Sequence, residues 1–321
     1  MYLADLHVHS SVSDCSMDAE NILKEAEKAG ITHLAFTDHD TTEQAWEHVE
    51  LAKEYGIRAV TGVEMSAYDY RKDRKVHILG YGYTKTKYIE QIGGETLRKR
   101  NENCLKQIAI LNELGYRVPV EEVEKLAGRC IYKQHILDYL LKTGQSKVLF
   151  GDIYKNIFKN GGPCDFDIEY PDAEDCVRAI KADGGLAVLA HPGQMGNYSA
   201  IHRLVEAGLD GIEYNHPSHS AADRKRVEEY AKSYSLFLTG GSDFHGRYEK
   251  TQSSLGEYPA GEQQGGLREQ ITLNVKKKVT NVKSDAFSLA FLTKVIQEAN
   301  KNPKWGRYNI RVKEINGGFV K

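Results

Sequence analysis

Short apolar segments alternate with longer amphipathic ones along most of this chain, and this alternation restricts the fold more than any other feature. "ADLHVH" and "THLAFTDHD" have the length and composition of strands, and each is followed by a segment with helical apolar periodicity. The same alternation returns after residue 170, where "LAVLAHPG" and "LFLTGGSDFHG" are apolar segments. The pattern predicts an α/β fold in which helices cover a parallel sheet.

The alternation is interrupted in the middle of the chain. Over residues 85–165 the segments are helical, as in "ETLRKRNENCLKQIAILNELGY". We therefore predict one α/β domain built from residues 1–84 and 166–250, with a helical insertion at residues 85–165 that caps it. Residues 251–321 are predicted to be a C-terminal extension, whose fold the sequence does not define.

Charge and composition argue against several classes of protein. The 321 residues carry 43 basic and 45 acidic side chains, so we expect no binding to long duplex nucleic acid or to an anionic membrane surface. No apolar run approaches the ~20 residues of a membrane-spanning helix, and no secretory signal is visible. Five cysteines without a CxxC pair argue against a disulfide framework or a thiolate zinc site. A cytoplasmic protein is expected.

Histidine and carboxylate side chains lie in or directly after most of the predicted strands. A His-X-His pair such as His7 and His9 is, by itself, more typical of the wet face of an edge strand. In a parallel barrel, however, the carboxyl ends of the strands meet on one rim, so the whole set is expected to converge. The candidate metal ligands are His7, His9, Asp14, His39, Glu64, His77, His191, Asp243 and His245.

Such a cluster requires cations, because three carboxylates packed together would repel one another. Imidazole and carboxylate ligands suit Mn²⁺, Fe²⁺ or Zn²⁺ rather than Ca²⁺. Nine ligands exceed the coordination of a single ion, so two or three divalent metal ions are predicted. Sites of this kind activate water and stabilise the entering and leaving oxygens of a displacement at phosphorus.

The motifs "DLHVHSSVSD", "FTDHDT", "GVEMS", "AHPG" and "GSDFHG" resemble the successive motifs of the PHP (polymerase and histidinol phosphatase) family of metal-dependent phosphoesterases. The resemblance implies a distorted (β/α)7 barrel, similar to a TIM barrel, with a trinuclear metal centre and a metal-bridging hydroxide that attacks phosphorus. It also implies three groups of ligands: His7, His9, Glu64 and Asp243; Glu64, His77 and His191; and Asp14, His39 and His245.

The helical insertion resembles the branch of the family that acts on nucleotides. The resemblance implies phosphatase activity on a small nucleotide, either a 3′,5′-nucleoside bisphosphate or an AMP-like ester. The branch has an Arg-Pro-His segment where this chain has "KQH", so lysine and glutamine replace arginine and proline. The implied catalytic residues are His191, Asp243 and His219, the last as donor to the phosphate or the leaving oxygen. The implied substrate contacts are Arg100, Lys133, His135, Ser218 and His219.

Other functions remain open. A 5′→3′ exoribonuclease that trims short RNA uses similar chemistry, and so does a phosphatase of histidinol phosphate or a sugar phosphate. Amidohydrolase barrels also begin with His-X-His, but they often carry a bridging lysine on a central strand, where this chain has Glu64 and His77. A metal-binding regulatory module is disfavoured because the ligand set is complete.

Overall fold

A computed structural model describes residues 3–249 and 253–260. Most of the predicted C-terminal extension lies outside these residues. The strands are β1 (Ala4–Val8), β2 (His33–Phe36), β3 (Arg58–Ala59), β4 (Gly62–Asp69), β5 (Arg74–Tyr81), β6 (Leu186–Leu189), β7 (Gly211–Asn215) and β8 (Phe237–Gly240). The α-helices are α1 (Ala19–Lys28), α2 (Ala45–Glu54), α3 (Lys87–Glu113), α4 (Val120–Glu124), α5 (Lys133–Lys142), α6 (Asp152–Ile157), α7 (Ala173–Ala182), α8 (Pro192–Met195), α9 (Ile201–Ala207) and α10 (Ala221–Tyr234).

The strands form two sheets within the described part of the chain. β1, β2 and β3 pair in parallel in one sheet, and the other sheet has the order β4-β5-β6-β7-β8. Isolated bridges connect the two sheets. Val8 of β1 pairs with Phe244, which follows β8, and His39, which follows β2, pairs with Glu64 of β4. The α/β class is confirmed. The strands do not form one continuous hydrogen-bonded barrel, so closure of a (β/α)7 barrel is not confirmed.

Strand β5 departs from the predicted parallel arrangement. It runs antiparallel to both β4 and β6. The reason is local, because only residues 70–73 connect β4 to β5 and a connection this short can join only antiparallel strands. Asp73 adopts φ 55° in this turn. As a result His77 lies within β5 and not beyond the end of a parallel strand.

The helices cover the sheets through their apolar faces. Helix α7 is representative: the Asp172 side chain caps it by accepting a hydrogen bond from the backbone N–H of Glu174 at 2.8 Å. Its buried face includes Val177 and Ile180, which lie in the same core cluster as Val63 of β4. Full burial of each such side chain stabilises the fold by about 1.5–3 kcal/mol.

Helices α3 to α6 lie within the predicted insertion and form a separate apolar cluster around Ile108, Leu140 and Phe158. Helix α3 also passes very close to the loop after β2. A Cβ atom at Gly93 would lie 2.2 Å from the backbone oxygen of Asp40, so this crossing requires glycine. The helices of the insertion are therefore positioned directly against the loop that carries His39. The division into an α/β domain at residues 1–84 and 166–250 and an insertion at residues 85–165 remains a prediction.

Candidate metal centre

Strand β1 presents two imidazoles to one face, as the two-residue spacing of His7 and His9 predicts. Both side chains are fully buried. The segment after β8 packs directly on β1, since a Cβ atom at Gly241 would lie 2.3 Å from the Cβ of His7. This contact brings the first and last strands of the described fold together at the site.

Glu64 of β4 lies at the centre of the cluster and is almost completely buried. Its Oε1 lies 2.8 Å from Nδ1 of His77 and 3.0 Å from Nε2 of His191. Its Oε2 faces three further ring nitrogens: Nε2 of His7 at 3.2 Å, Nε2 of His9 at 3.2 Å and Nδ1 of His39 at 3.4 Å.

The two aspartates complete the cluster. Oδ1 of Asp243 lies 3.2 Å from Nε2 of both His7 and His9. Nδ1 of His245 lies 2.8 Å from the backbone oxygen of Asp243, so this nitrogen donates a hydrogen bond. The other nitrogen, Nε2, lies 3.3 Å from Oδ1 of Asp14 and carries the lone pair when the ring is neutral. The nine predicted ligands thus converge on one neighbourhood.

Several buried atoms of the cluster have no hydrogen-bond partner, including Nε2 of His7, both ring nitrogens of His9 and Oδ1 of Asp14. An unsatisfied buried polar group costs about 1–3 kcal/mol, whereas a bound cation would satisfy the carboxylate oxygen and, in each imidazole, the nitrogen that carries the lone pair. The residues therefore fit divalent ions. Four overlapping groups of the described residues have ligand atoms within 4.8 Å of one another: His9, Asp14, His39 and His245; His7, His9, Glu64 and Asp243; His39, Glu64 and His77; and His7, Glu213 and His216.

The electrostatic balance of the cluster favours ionised carboxylates. Burial alone would raise the pKa of Glu64, but the nearby imidazoles, with His7 and His77 foremost, outweigh it and hold that pKa well below its ordinary value. For His245, burial would lower the pKa, but the carboxylates, Asp14 foremost, raise it to about 10. A cation that binds here therefore competes with protons.

Glu213 on β7 is a buried carboxylate that the sequence analysis missed. Its Oε1 accepts a hydrogen bond from Nδ1 of His7 at 3.1 Å, and its Oε2 accepts one from the backbone N–H of His191 at 2.8 Å. His191 has φ 24°, in the left-handed region that non-glycine residues rarely adopt. Glu213 thus orients one predicted ligand and stabilises the strained backbone of another. The available signal was a carboxylate within a short apolar strand, "GIEYN".

The loop that carries Asp14 is held by two contacts from outside it. Asp38 accepts hydrogen bonds from the backbone N–H and hydroxyl of Ser10, both at 2.8 Å, and from the hydroxyl of Ser13 at 2.7 Å. Gln134, at the start of α5, donates to Oδ2 of Asp14 at 2.8 Å. A residue of the insertion therefore positions a predicted metal ligand.

Two histidines after β7 contact the edge of the cluster. The backbone N–H of Ser218 donates to Nδ1 of His216, so Nε2 of His216 carries the proton and donates to Oδ2 of Asp243 at 3.3 Å. His219 donates from Nδ1 to the Tyr214 backbone oxygen and accepts at Nε2 from the Gly193 N–H. Backbone groups occupy both nitrogens of His219, an arrangement that favours a positioning role over the predicted acid role.

The predicted substrate contacts separate into two kinds. Arg100 and Lys133 line the pocket beside the cluster. His135 is fully buried, and its Nδ1 accepts from the Tyr132 N–H at 3.1 Å at the start of α5. Ser218 is exposed and bonds His216. His135 and Ser218 do not line this pocket, so the geometry supports direct substrate contact only for Arg100 and Lys133.

Arg100 joins the insertion to the sheet domain through a buried ion pair. Its Nη2 lies 3.0 Å from Oδ2 of Asp40 and 2.9 Å from Oγ of Ser66, and its guanidinium lies 5.0 Å from the centre of the Tyr132 ring. Asp40 is fully buried.

We expect Asp40→Ala to lower the free energy of unfolding by about 3 kcal/mol, because it leaves a largely buried guanidinium without its partner. Urea unfolding followed by circular dichroism measures this. Glu95→Ala, which removes an exposed partner of Arg98, is the matched control and should leave the unfolding midpoint unchanged. Equal midpoints for both variants would contradict a stabilising role for the buried pair.

A pocket of about 300 Å³ opens over one side of the cluster. Asp14, His39 and His77 lie at its wall together with residues of the insertion such as Arg100 and Lys133. The pocket thus connects the candidate metal centre with cationic side chains from α3 and α5.

Clustered imidazoles and carboxylates that can hold several cations, beside a cationic pocket, define a metal-dependent hydrolase of phosphate esters. The profile of the PHP domain family matches residues 5–182, which is more than half of the chain. The chain belongs to the PHP domain family and is a metal-dependent phosphoesterase, as its motifs predicted.

Relatives of known activity agree with this class. The chain is 46% identical over 249 residues to a phosphoribosyl 1,2-cyclic phosphate 1,2-diphosphodiesterase from Eggerthella lenta, covering 77% of this chain and 95% of that protein. It is 30% identical over 250 residues to a 3′,5′-nucleoside bisphosphate phosphatase from Chromobacterium violaceum, covering 75% of this chain and 86% of that protein.

A solved structure from Bifidobacterium adolescentis, itself proposed to be a metal-dependent phosphoesterase, superposes with a TM-score of 0.75 at 24% identity. It covers 84% of this chain and 96% of that one, and it supports the fold. Among the helices that the structure describes, none combines the length and the apolar character needed to cross a bilayer.

Proposed function

We propose that this chain hydrolyses the cyclic phosphodiester of a phosphorylated ribose 1,2-cyclic phosphate. The observation that carries the proposal is the 46% identity to the Eggerthella lenta enzyme, which extends over 95% of that enzyme's length. The sequence analysis named small nucleotides as substrates. A ribose with a cyclic phosphate and a second phosphate shares their phosphate groups but has no base.

The size of the pocket supports a small substrate. A volume of about 300 Å³ lies at the lower end of the range of small-molecule sites, which is about 300–1,000 Å³. This is suitable for a phosphorylated pentose and small for an extended oligonucleotide. The volume thus favours a phosphosugar over short RNA.

Helix α3 presents a polar face to this pocket. Arg100, Asn103 and Gln107 follow the i, i+3, i+7 spacing of one helical face, and all three line the pocket. Oε1 of Gln107 and Nε of Arg100 are buried and have no hydrogen-bond partner within the described residues. Free acceptors and donors of this kind match the hydroxyls and phosphate oxygens of a sugar phosphate.

For the metal centre we propose two or three ions of Mn²⁺, Fe²⁺ or Zn²⁺, held by the nine predicted ligands. The overlapping groups support Glu64 as a shared ligand, because its two oxygens could contact different ions. His9 and His39 each belong to two groups, but a neutral imidazole has one lone pair and would ligate only one ion. Divalent ions there would supply an activated water and Lewis acidity at phosphorus.

The chain's own residues would orient the substrate. Arg100 would compensate the charge that develops on the phosphate oxygens, since its guanidinium is fixed by Asp40 and by the Tyr132 ring. Glu213 would keep His7 in the tautomer that leaves Nε2 free for a cation. His191 and Asp243 would act as ligands within this centre.

We also infer the distorted seven-stranded barrel of the family, made of every described strand except β3. The isolated bridges between Val8 and Phe244 and between His39 and Glu64 support this arrangement. Residues 85–165 would then be the cap that encloses the pocket.

A second candidate is a 3′,5′-nucleoside bisphosphate phosphatase, as in the Chromobacterium violaceum relative. The observation in its favour is an aromatic pair, Phe150 and Tyr154, whose ring centres lie 5.2 Å apart in the pocket lining. An aromatic wall of this kind could stack a base.

The test compares kcat/KM on matched substrates in the presence of Mn²⁺: 5-phosphoribosyl 1,2-cyclic phosphate, a 3′,5′-nucleoside bisphosphate, histidinol phosphate and a 5′-phosphorylated short RNA. We expect the cyclic phosphate to give the highest value and His191→Ala to abolish turnover. A higher value for the bisphosphate would replace the proposal by the second candidate. A higher value for RNA would instead support the exoribonuclease alternative.

A further inference from the structure

Some of the cationic side chains that line the pocket have no carboxylate partner within the described part of the chain. Four cations line it: Lys75, Arg100, Lys133 and Lys159. Two of them are paired, since Arg100 contacts Asp40 and Lys75 contacts Asp167.

The other two, Lys133 and Lys159, have no carboxylate oxygen within 4.0 Å among residues 3–249 and 253–260. Lys133 is the first residue of α5, and its Nζ lies 5.7 Å from the centre of the Phe158 ring. Lys159 directly follows Phe158, beyond the end of α6. Both lysines line the same pocket. Burial lowers the pKa of Lys133 and the positive charge of Lys159 lowers it further, against an opposing effect of Asp167.

Repulsion between these ammonium groups would be removed by an anion bound between them. A phosphate monoester dianion supplies the necessary charge and several acceptor oxygens. An ammonium group suits this task because its three donors are not fixed in one plane.

The two lysines belong to the insertion, whereas the predicted metal ligands belong to the sheet domain. The two lysines line the same pocket as three of the predicted ligands, Asp14, His39 and His77, so a ligand in it can contact the edge of the metal centre and the lysine pair together. A substrate with a single phosphate at the metal centre would leave the lysine pair without a counter-ion.

We propose that Lys133 and Lys159 form a distal phosphate site, which binds a second phosphate of the substrate that is not the one hydrolysed. This inference rests on the proposed function and adds to it a preference for a substrate with two phosphate groups. The sequence analysis expected a phosphate contact at Lys133 but did not identify Lys159.

The experiment measures kcat/KM for 5-phosphoribosyl 1,2-cyclic phosphate and for ribose 1,2-cyclic phosphate, which lacks the 5-phosphate. The variants are Lys133→Met and Lys159→Met, with Lys155→Met as the matched control, because Lys155 is an exposed residue of α6 that does not line the pocket.

We expect wild type to prefer the 5-phosphorylated substrate. Each pocket variant should lower kcat/KM for that substrate by about 10- to 100-fold, the scale of one hydrogen bond to a charged group, mainly through KM. Turnover of ribose 1,2-cyclic phosphate and the activity of the control should not change. Equal losses on both substrates, or no preference in wild type, would overturn the distal site while leaving the proposed function intact.

If wild type turned over neither cyclic phosphate, the proposed function would fail and the distal site would be judged by the second pair of substrates. A 3′,5′-nucleoside bisphosphate is then compared with the nucleoside 3′-monophosphate and 5′-monophosphate. Selective loss on the bisphosphate in Lys159→Met supports the site. Parallel loss on all three, no loss on any, or no turnover by wild type of either substrate set overturns it.

Discussion

Glu64→Gln is expected to lower phosphoesterase activity by about 100- to 1,000-fold, the scale of losing one group that stabilises charge at a reacting centre. Glu64 faces five ring nitrogens, so both of its oxygens are available to bridge cations. An amide removes the negative charge and turns one of the two acceptors into a donor. The measurement is kcat/KM on the best substrate, together with metal content per chain by elemental analysis.

Glu47→Gln is the matched control, because Glu47 is an exposed glutamate of α2. It should retain both activity and metal. Circular dichroism of both variants distinguishes a change at the site from unfolding. A folded Glu64→Gln protein with wild-type metal content and turnover would refute the central position of this carboxylate.

Glu213→Gln is expected to weaken metal binding by about 10- to 100-fold, the usual effect of losing a carboxylate that orients a metal-binding histidine. Glu213 accepts hydrogen bonds from both His7 and the His191 backbone, and glutamine has only one acceptor oxygen. If its amide nitrogen faced His7, that ring would have to accept at Nδ1 and carry its proton on Nε2, the atom directed at Glu64.

Activity of Glu213→Gln measured against Mn²⁺ concentration tests this role. We expect the midpoint to shift to higher Mn²⁺ and kcat to recover at saturation, because the residue acts through a ligand. Glu206→Gln, an exposed change on α9, should keep the wild-type midpoint. An unchanged midpoint in Glu213→Gln would argue against the orienting role.

The sequence predicted those parts of the site that depend on local periodicity. Two-residue spacing in a strand sufficed to place His7 and His9 on one face, and the position directly after a predicted strand sufficed to identify His191 and Asp243. The prediction of a uniformly parallel sheet was wrong at β5, because it ignored the four-residue connection after β4. That connection is itself visible in the sequence as "YRKD".

Contacts between distant segments could not be predicted in the same way. Gln134 and Asp14 are 120 residues apart, and their hydrogen bond depends on how the insertion packs against the sheets. Glu213 resembles an ordinary strand residue until the fold brings it to His7. The predicted strand that contains Glu213 was followed by His216 and His219, and no family motif covered Glu213, so the sequence analysis did not select it.

The most direct test of the central claim, that nine distant side chains together hold several catalytic cations, is metal content measured alongside activity. The protein is purified, stripped with a chelator and titrated with Mn²⁺, with bound metal and phosphate release recorded at each step. We predict that stripped protein is inactive and that activity returns as two or three ions bind per chain. Full activity in protein that contains no bound metal would contradict the account.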